Sequence, residues 1–231
     1  MEPYYTDGRV TLFHGDCCEV LPQLHTPADL VVTDPPYVVG LASFGESTKA
    51  SGWGDIMNAA RFYAVWLREV RRLTNARQGA VWVFNSWRSF PVLARAMFEV
   101  EWSATSLLVW DKEWIGPGGV RGLRPSYEMV ALFAHDEFAL SNRGLPDVWR
   151  ARRVPATPTG HPAEKPLPLL SRIVRESGCA RPDAVILDPF SGSGSTLVAA
   201  KSCGARAVGI EVEEKWCEVT ALRLQQEVLL P

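Results

Sequence analysis

Between Ala184 and Glu211 the chain carries a pattern that few folds accommodate. The apolar run Ala184 to Leu187 leads into Asp188-Pro189-Phe190-Ser191-Gly192-Ser193-Gly194-Ser195-Thr196. A helical stretch to Cys203 follows, then a second apolar run, Ala205 to Ile210, closed by Glu211. Strand, glycine turn, helix and strand in that order predict a parallel unit of an open α/β sheet. The glycines let the backbone pass close to a ligand, and the next helix begins with free N–H groups. Glu211 stands roughly 20 residues beyond Asp188, where a carboxylate can accept both hydroxyl hydrogen bonds of a ribose. The third glycine of a dinucleotide fingerprint is missing, and so is the Lys-Ser/Thr pair of a phosphate loop. The turn therefore favours an adenosine cofactor without a pyrophosphate.

The rest of the chain repeats the alternation. Arg9 to His14 reads as a strand ending at Gly15-Asp16, Cys17 to Leu24 as a short helix broken near Pro22, and Ala28 to Thr33 as a buried strand before Asp34-Pro35-Pro36-Tyr37. Residues 38–58, rich in Gly and Ser and carrying Phe44 and Trp53, read as a mobile loop over the site. Ala59 to Leu73 has helical spacing, Ala80 to Phe84 is a buried strand, and Trp87 to Phe98 a helix after its first turn. Trp102 to Trp110 and Tyr127 to Ala134 suggest an antiparallel pair at a sheet edge. Phe138 to Lys165 lacks periodicity. Pro166 marks a first helical turn, Leu167 to Glu176 a helix and Gly178 its end. The last helix begins near Glu213. The expected fold is one α/β domain over residues 1–231, a doubly wound, mostly parallel sheet with helices on both faces.

Composition excludes some classes. The 231 residues are 47% hydrophobic, ample for one core. No apolar run approaches roughly 18 residues, so no membrane span is expected. The N-terminal residues lack a basic and an apolar region, so no secretory signal is expected. Five cysteines, none with metal spacing, point to reduced thiols in a cytoplasmic protein with no metal. The net charge is −2, but Arg61 to Arg95 holds seven Arg against Glu69, and Ser141 to Arg175 six Arg and Lys165 against Asp147 and Glu164. From Asp183 onward seven acids face four bases. A basic region beside an acidic one suits a surface that meets phosphate on one side only.

The Asp34-Pro35-Pro36-Tyr37 turn has a chemistry of its own. Two prolines fix the backbone and remove two N–H donors, leaving carbonyls as acceptors. The Asp34 carboxylate and the Pro35 carbonyl could accept both hydrogens of an exocyclic amine, and Tyr37 offers a flat ring for an extruded base.

Taken in order, these segments resemble the amino-group DNA methyltransferases that use S-adenosylmethionine, in the permuted order with the catalytic motif first. Asp34 to Tyr37 matches the catalytic motif, and Asp188 to Thr196 the glycine motif. Gly15-Asp16 resembles the acid that receives the cofactor adenine. Trp110, Lys112, Gly116 and Tyr127-Glu128 follow the later strands, and His161-Pro162-Ala163-Glu164-Lys165-Pro166 matches a segment beside the cofactor's methionine part.

The resemblance implies direct transfer to a flipped base without a covalent enzyme intermediate, so Cys17 and Cys18 are expected to be structural. It implies catalysis by Asp34, Pro35, Pro36 and Tyr37. Cofactor binding falls to Asp16, Lys165, Asp188, Phe190, Ser191, Gly192, Ser193, Gly194, Ser195, Thr196 and Glu211. Asp at position 34 favours adenine N6 over cytosine N4. Target recognition falls on a short insert, 138–160, with Arg143, Trp149, Arg150, Arg152 and Arg153 toward DNA. The family often dimerises, so a homodimer is open. An RNA or protein amine methyltransferase, or a non-catalytic nucleic-acid-binding relative, are the competing readings.

Overall fold

A computed structural model describes residues 1–37, 53–116, 122–155, 160–161 and 163–226, with 53–58 by backbone alone. One nine-stranded sheet runs through it: β1 (Tyr5–Thr6), β2 (Val10–His14), β3 (Leu30–Thr33), β4 (Ala80–Asn85), β5 (Ser106–Asp111), β6 (Tyr127–Ala134), β7 (Val148–Arg150), β8 (Val185–Asp188) and β9 (Arg206–Glu211). The order across the sheet is β1-β2-β9-β8-β3-β4-β6-β5-β7. The helices are α1 (Cys17–Val20), followed by a 3-10 turn Leu21–Gln23, α2 (Trp53–Leu73), α3 (Phe90–Glu99), α4 (Leu167–Glu176), α5 (Ser195–Ser202) and α6 (Glu214–Gln225).

The central strands are apolar from end to end because helices cover both faces. All residues of β3, β4 and β8 are buried. Val31, Val81, Val83 and Leu187 face a core built with α2 and α3, whereas Leu30, Val32, Trp82 and Ile186 face one built with α4 and α5. Helix α4 buries Leu169, Leu170, Ile173 and Val174, one stripe of a 3.6-residue repeat.

The topology decides where a ligand goes. From β8 the chain passes through α5 to β9 on one side, while from β3 it passes through α2 to β4 on the other, and β8 and β3 pair in parallel. The winding thus reverses between these two neighbours, and the crevice beyond their carboxyl ends is where such sheets bind ligands.

The doubly wound sheet with its antiparallel strands is as expected, with three corrections. Helix α2 starts at Trp53, inside the stretch read as a loop; residues 38–52 lie outside the described residues. The antiparallel pair β5–β6 is not the edge, because β7 adds a parallel strand outside β5. Three residues are too few to show a period, so the irregular segment hid it. Pro166 caps α4 in an extended conformation, and the proline in the first turn is Pro168. Among the described residues no helix is long and apolar enough to cross a membrane.

Candidate active site

Thr33, the last residue of β3, donates its hydroxyl to Asp188 Oδ1 at 2.8 Å, joining the two turns at their roots. Asp188 also accepts from the Phe190 N–H at 3.1 Å. Burial pushes its carboxyl up to about 6, against the hydrogen bonds from Thr196, Thr33 and Phe190 that favour the anion. Asp188 therefore serves as a root for both turns, with its oxygens directed into protein.

Beyond Thr33 the Asp34 turn is held from three directions. Tyr63, fully buried on α2, donates to the Pro36 carbonyl at 2.9 Å. Tyr37 donates its hydroxyl to Glu128 Oε2 at 3.1 Å. The Lys165 ammonium, from the segment leading into α4, pairs with Asp34 Oδ2 and lies 3.4 Å from Glu128 Oε2. Lys112 closes the group at 2.6 Å from Glu128 Oε1. Asp34 Oδ1 is buried and has no hydrogen-bond partner among the described residues.

Two acids and two lysines thus share one pocket, and their titration follows from it. Burial raises the Asp34 carboxyl more than Lys165 lowers it, and the Glu128 charge adds to the rise. Burial alone would raise Glu128 as well, but Lys165 and Lys112 bring it below the usual carboxylate range. Burial works against the Lys165 ammonium, yet Asp34 and Glu128 hold it above the ordinary lysine value. Tyr37 is driven well above the usual phenol value by burial and by the two carboxylates.

The glycine turn is held mainly by backbone. Ser191 N–H donates to the Ile210 carbonyl at 2.9 Å, and Gly192 N–H to Glu211 Oε2 at 2.8 Å. Glu211 Oε1 accepts from the Glu213 N–H at 2.8 Å, and burial raises its carboxyl despite both bonds. Gly194 caps α5 at φ +79, and a Cβ there would stand 2.5 Å from Thr220 Cγ2. Gly192 has φ +50, and a Cβ there would stand 3.0 Å from His161 Nε2. Thr220 donates to the Gly192 carbonyl at 3.0 Å, and Arg223 reaches the Ser193 carbonyl at 2.6 Å and Glu164 at 3.0 Å. Ser191, Ser193, Ser195 and Thr196 are buried, and Ser191 Oγ has no partner among the described residues. The Phe190 ring meets Trp66 edge-on at 5.2 Å, anchoring the turn to α2.

Asp16 reaches the same edge. Gly15 N–H donates to the Glu211 carbonyl at 2.9 Å, and Asp16 Oδ1 caps α1 by accepting from Cys18 N–H at 2.8 Å. The sequence showed no metal spacing, yet ligand atoms of Asp16, Cys17 and Cys18 lie within 4.8 Å of one another. Burial holds both thiols protonated, Cys17 the more strongly, and Asp16 Oδ1 takes the Cys18 N–H.

Other expected residues need relocation. Lys165, whose segment was expected beside the cofactor's methionine part, pairs with Asp34. Trp149 is 2% exposed, with its ring under the Arg172 guanidinium at 4.0 Å, so it is core and offers no face to a base. Arg143, Arg150 and Arg152 are exposed, and Arg153 lies over the Trp114 ring at 4.3 Å. Arg150, Arg152, Arg153, Arg172 and Arg175 line a cavity of 760 Å³ between the insert and α4. Residues 156–159 and Pro162 lie outside the described residues. The sequence matched Lys112 and Glu128 only to the family pattern around the later strands, without a role in the site, and did not single out Tyr63 or Arg223. The available signal was Glu128, an acid within the apolar run Tyr127 to Ala134.

Comparisons with known proteins agree with this layout. The pattern of a family described as DNA methylase matches residues 28–222. The type II methyltransferase M.ScaI of Streptomyces caespitosus is 28% identical over 98% of this chain and 84% of its own length. The solved cytosine-N4-specific PvuII DNA methyltransferase superposes with a TM-score of 0.77 at 18% identity, over 99% of this chain and 91% of that one. The solved M1.HpyAVI–SAM complex superposes at 0.71 and 21% identity, over 94% of this chain and 99% of that one.

Proposed function

This chain belongs to the DNA methylase family, and from that premise we propose that it moves a methyl group from S-adenosylmethionine to the N6 amine of an adenine flipped out of DNA. The observation that carries this reading is the buried Asp34 Oδ1, without a hydrogen-bond partner among the described residues, on the turn beside the glycine cradle. A buried acceptor left without a donor is costly, so its place in the fold argues for a donor supplied by substrate.

The cradle fits an adenosine-bearing cofactor on its own geometry. Each Glu211 oxygen takes one backbone N–H and keeps a lone pair for a ribose hydroxyl. Ser191 Oγ is a second buried polar atom without a partner among the described residues, and the absence of a side chain at Gly192 lets the His161 ring pack directly over the turn. The reading assigns Asp16 to the adenine amine and the turn 188–196 to the remainder of the cofactor. When bound, S-adenosylmethionine supplies an electrophilic methyl on a positively charged sulfur.

Asp34 Oδ1 accepts a hydrogen of the incoming amine and turns the nitrogen lone pair toward the neighbouring strand's cradle. Tyr37 faces the base. The N–C bond forms as the C–S bond breaks, the bonding pair stays on sulfur, and the methylated nitrogen sheds one proton to water. Positioning supplies most of the rate. Extruding the base costs a few kcal/mol, offset by contacts to the strand. Arg143, Arg150, Arg152 and Arg153 are assigned to those contacts. Arg150's ion pair with Asp111 spans 3.4 Å on an exposed side chain, too weak to withhold it from phosphate.

Aspartate at position 34 favours adenine; cytosine N4 is the second reading, supported by the likeness to the PvuII enzyme. Radiolabelled methyl transfer to duplex DNA amplified in vitro, followed by nucleoside analysis, tests both. Label in N6-methyladenine is expected. Label in N4-methylcytosine selects the second reading, and DNA left without label overturns the proposal.

A further inference from the structure

We propose that Glu128, carried to the site on β6, is the positioning residue of the catalytic turn: it holds Tyr37 by its hydroxyl and shares Lys165 with Asp34. One oxygen of Asp34 is thereby clamped and the other is left for the amine. The proposal rests on the reading of Asp34 as the amine acceptor.

The geometry leaves little else for this acid to do. If Glu128 only neutralised Lys112, Oε1 at 2.6 Å would suffice. Its Oε2 instead faces the site, accepting from Tyr37 at 3.1 Å and standing 3.4 Å from the Lys165 ammonium. Each of these three residues comes from a different part of the chain, so Glu128 is the point at which they are registered. Without it, the buried Lys165 would face Asp34 alone and the partly buried Lys112 would lose its partner, and an uncompensated buried charge is strongly unfavourable. Lys165 would then close on Asp34 more tightly, and the carboxylate would accept a weaker bond from the amine.

The groups facing Asp34 are Lys165 before α4, Glu128 on β6, Tyr37 on its own turn, Tyr63 on α2, Asp188 on β8 and His161 near the cradle. Lys112 acts on it through Glu128. Of these, Lys165 lowers the Asp34 carboxyl and Glu128 raises it. Removing one or the other must therefore move the acid limb of the rate profile in opposite directions.

The test compares the whole chain with Glu128→Gln and Lys165→Met in methyl transfer to unmethylated duplex DNA across pH, with cofactor affinity by calorimetry and thermal melting as a fold check. Glu128→Gln is expected to lower kcat about 100-fold, the scale of a small misplacement at a reacting centre, with cofactor affinity unchanged. Its acid limb shifts down by about one pH unit, while that of Lys165→Met shifts up by a similar amount. Should Lys165→Met fail to fold, Lys112→Met serves instead: Glu128 then draws Lys165 off Asp34, and the limb again moves up. Limbs that stay in place or move together overturn the proposal, as does a Glu128→Gln whose loss lies in cofactor affinity. A parent chain that transfers no methyl overturns the function reading instead, so the two failures are distinct.

Discussion

The glycine cradle and the catalytic turn lie side by side at one edge of the sheet, yet they are assembled in opposite ways. The cradle closes on itself within a short span: Gly192 meets Glu211 only 19 positions on, and its bonds are mostly from backbone N–H groups. The catalytic turn is held by side chains from far away, Tyr37 by Glu128 across 91 positions and Asp34 by Lys165 across 131. The cradle therefore depends on conformation that glycine permits. The turn depends on balanced charge in a dry pocket, where one missing partner leaves another uncompensated.

Substitutions probe that contrast, beginning with the largest effect. Asp34→Ala is expected to lower methyl transfer by about 1,000-fold, the upper range for losing one aimed polar group, with cofactor affinity intact. Near-full activity would break the comparison at its catalytic end.

Asp188 joins the two regions and gives a pH signature. Its carboxyl sits at about 6 against an ordinary 3.8, so the folded state prefers the neutral acid. That contribution to stability is full below 3.8 and is lost as pH rises through 6. The loss amounts to about 3 kcal/mol for a shift of roughly two units. The melting temperature should therefore fall between about pH 4 and 6 and level off above that range, and Asp188→Asn should flatten the falling part of the curve. An unchanged slope in the variant would deny Asp188 its buried role.

Gly194→Ala places a methyl 2.5 Å from Thr220 at φ +79, a strain of about 2 kcal/mol. Melting should report the loss, and calorimetry a weaker cofactor site. Glu211→Ala is milder. It removes the acceptor for two backbone N–H groups and the proposed ribose contact, raising the cofactor Kd about 10-fold while kcat at saturation persists. If kcat falls and affinity does not, the division of labour between the two regions is wrong.

Much of the fold was legible in the chain. Continuous apolar runs such as Leu30 to Thr33 and Val185 to Leu187 marked strands covered on both faces, and Leu169, Leu170, Ile173 and Val174 marked the buried stripe of α4. The β7 strand was hidden because three residues carry no period, and Trp149 sat among arginines that suggested a surface. Lys165 was expected beside the cofactor's methionine part because its segment resembles one that lies there in the family, and His161 of the same segment packs over Gly192. The lysine itself turns toward Asp34. Neighbours in sequence can face different ligands, and no local spacing reveals which.

The sequence by itself determined the longer strands, their winding, and the two turns at which the sheet must open, because burial periodicity and glycine or proline stereochemistry act over a few residues. Only the tertiary structure decided that Glu128 and Lys112 would meet Lys165 and Tyr37 around Asp34, because ionisable groups from separate elements set one another's charge only once the fold has taken them out of water.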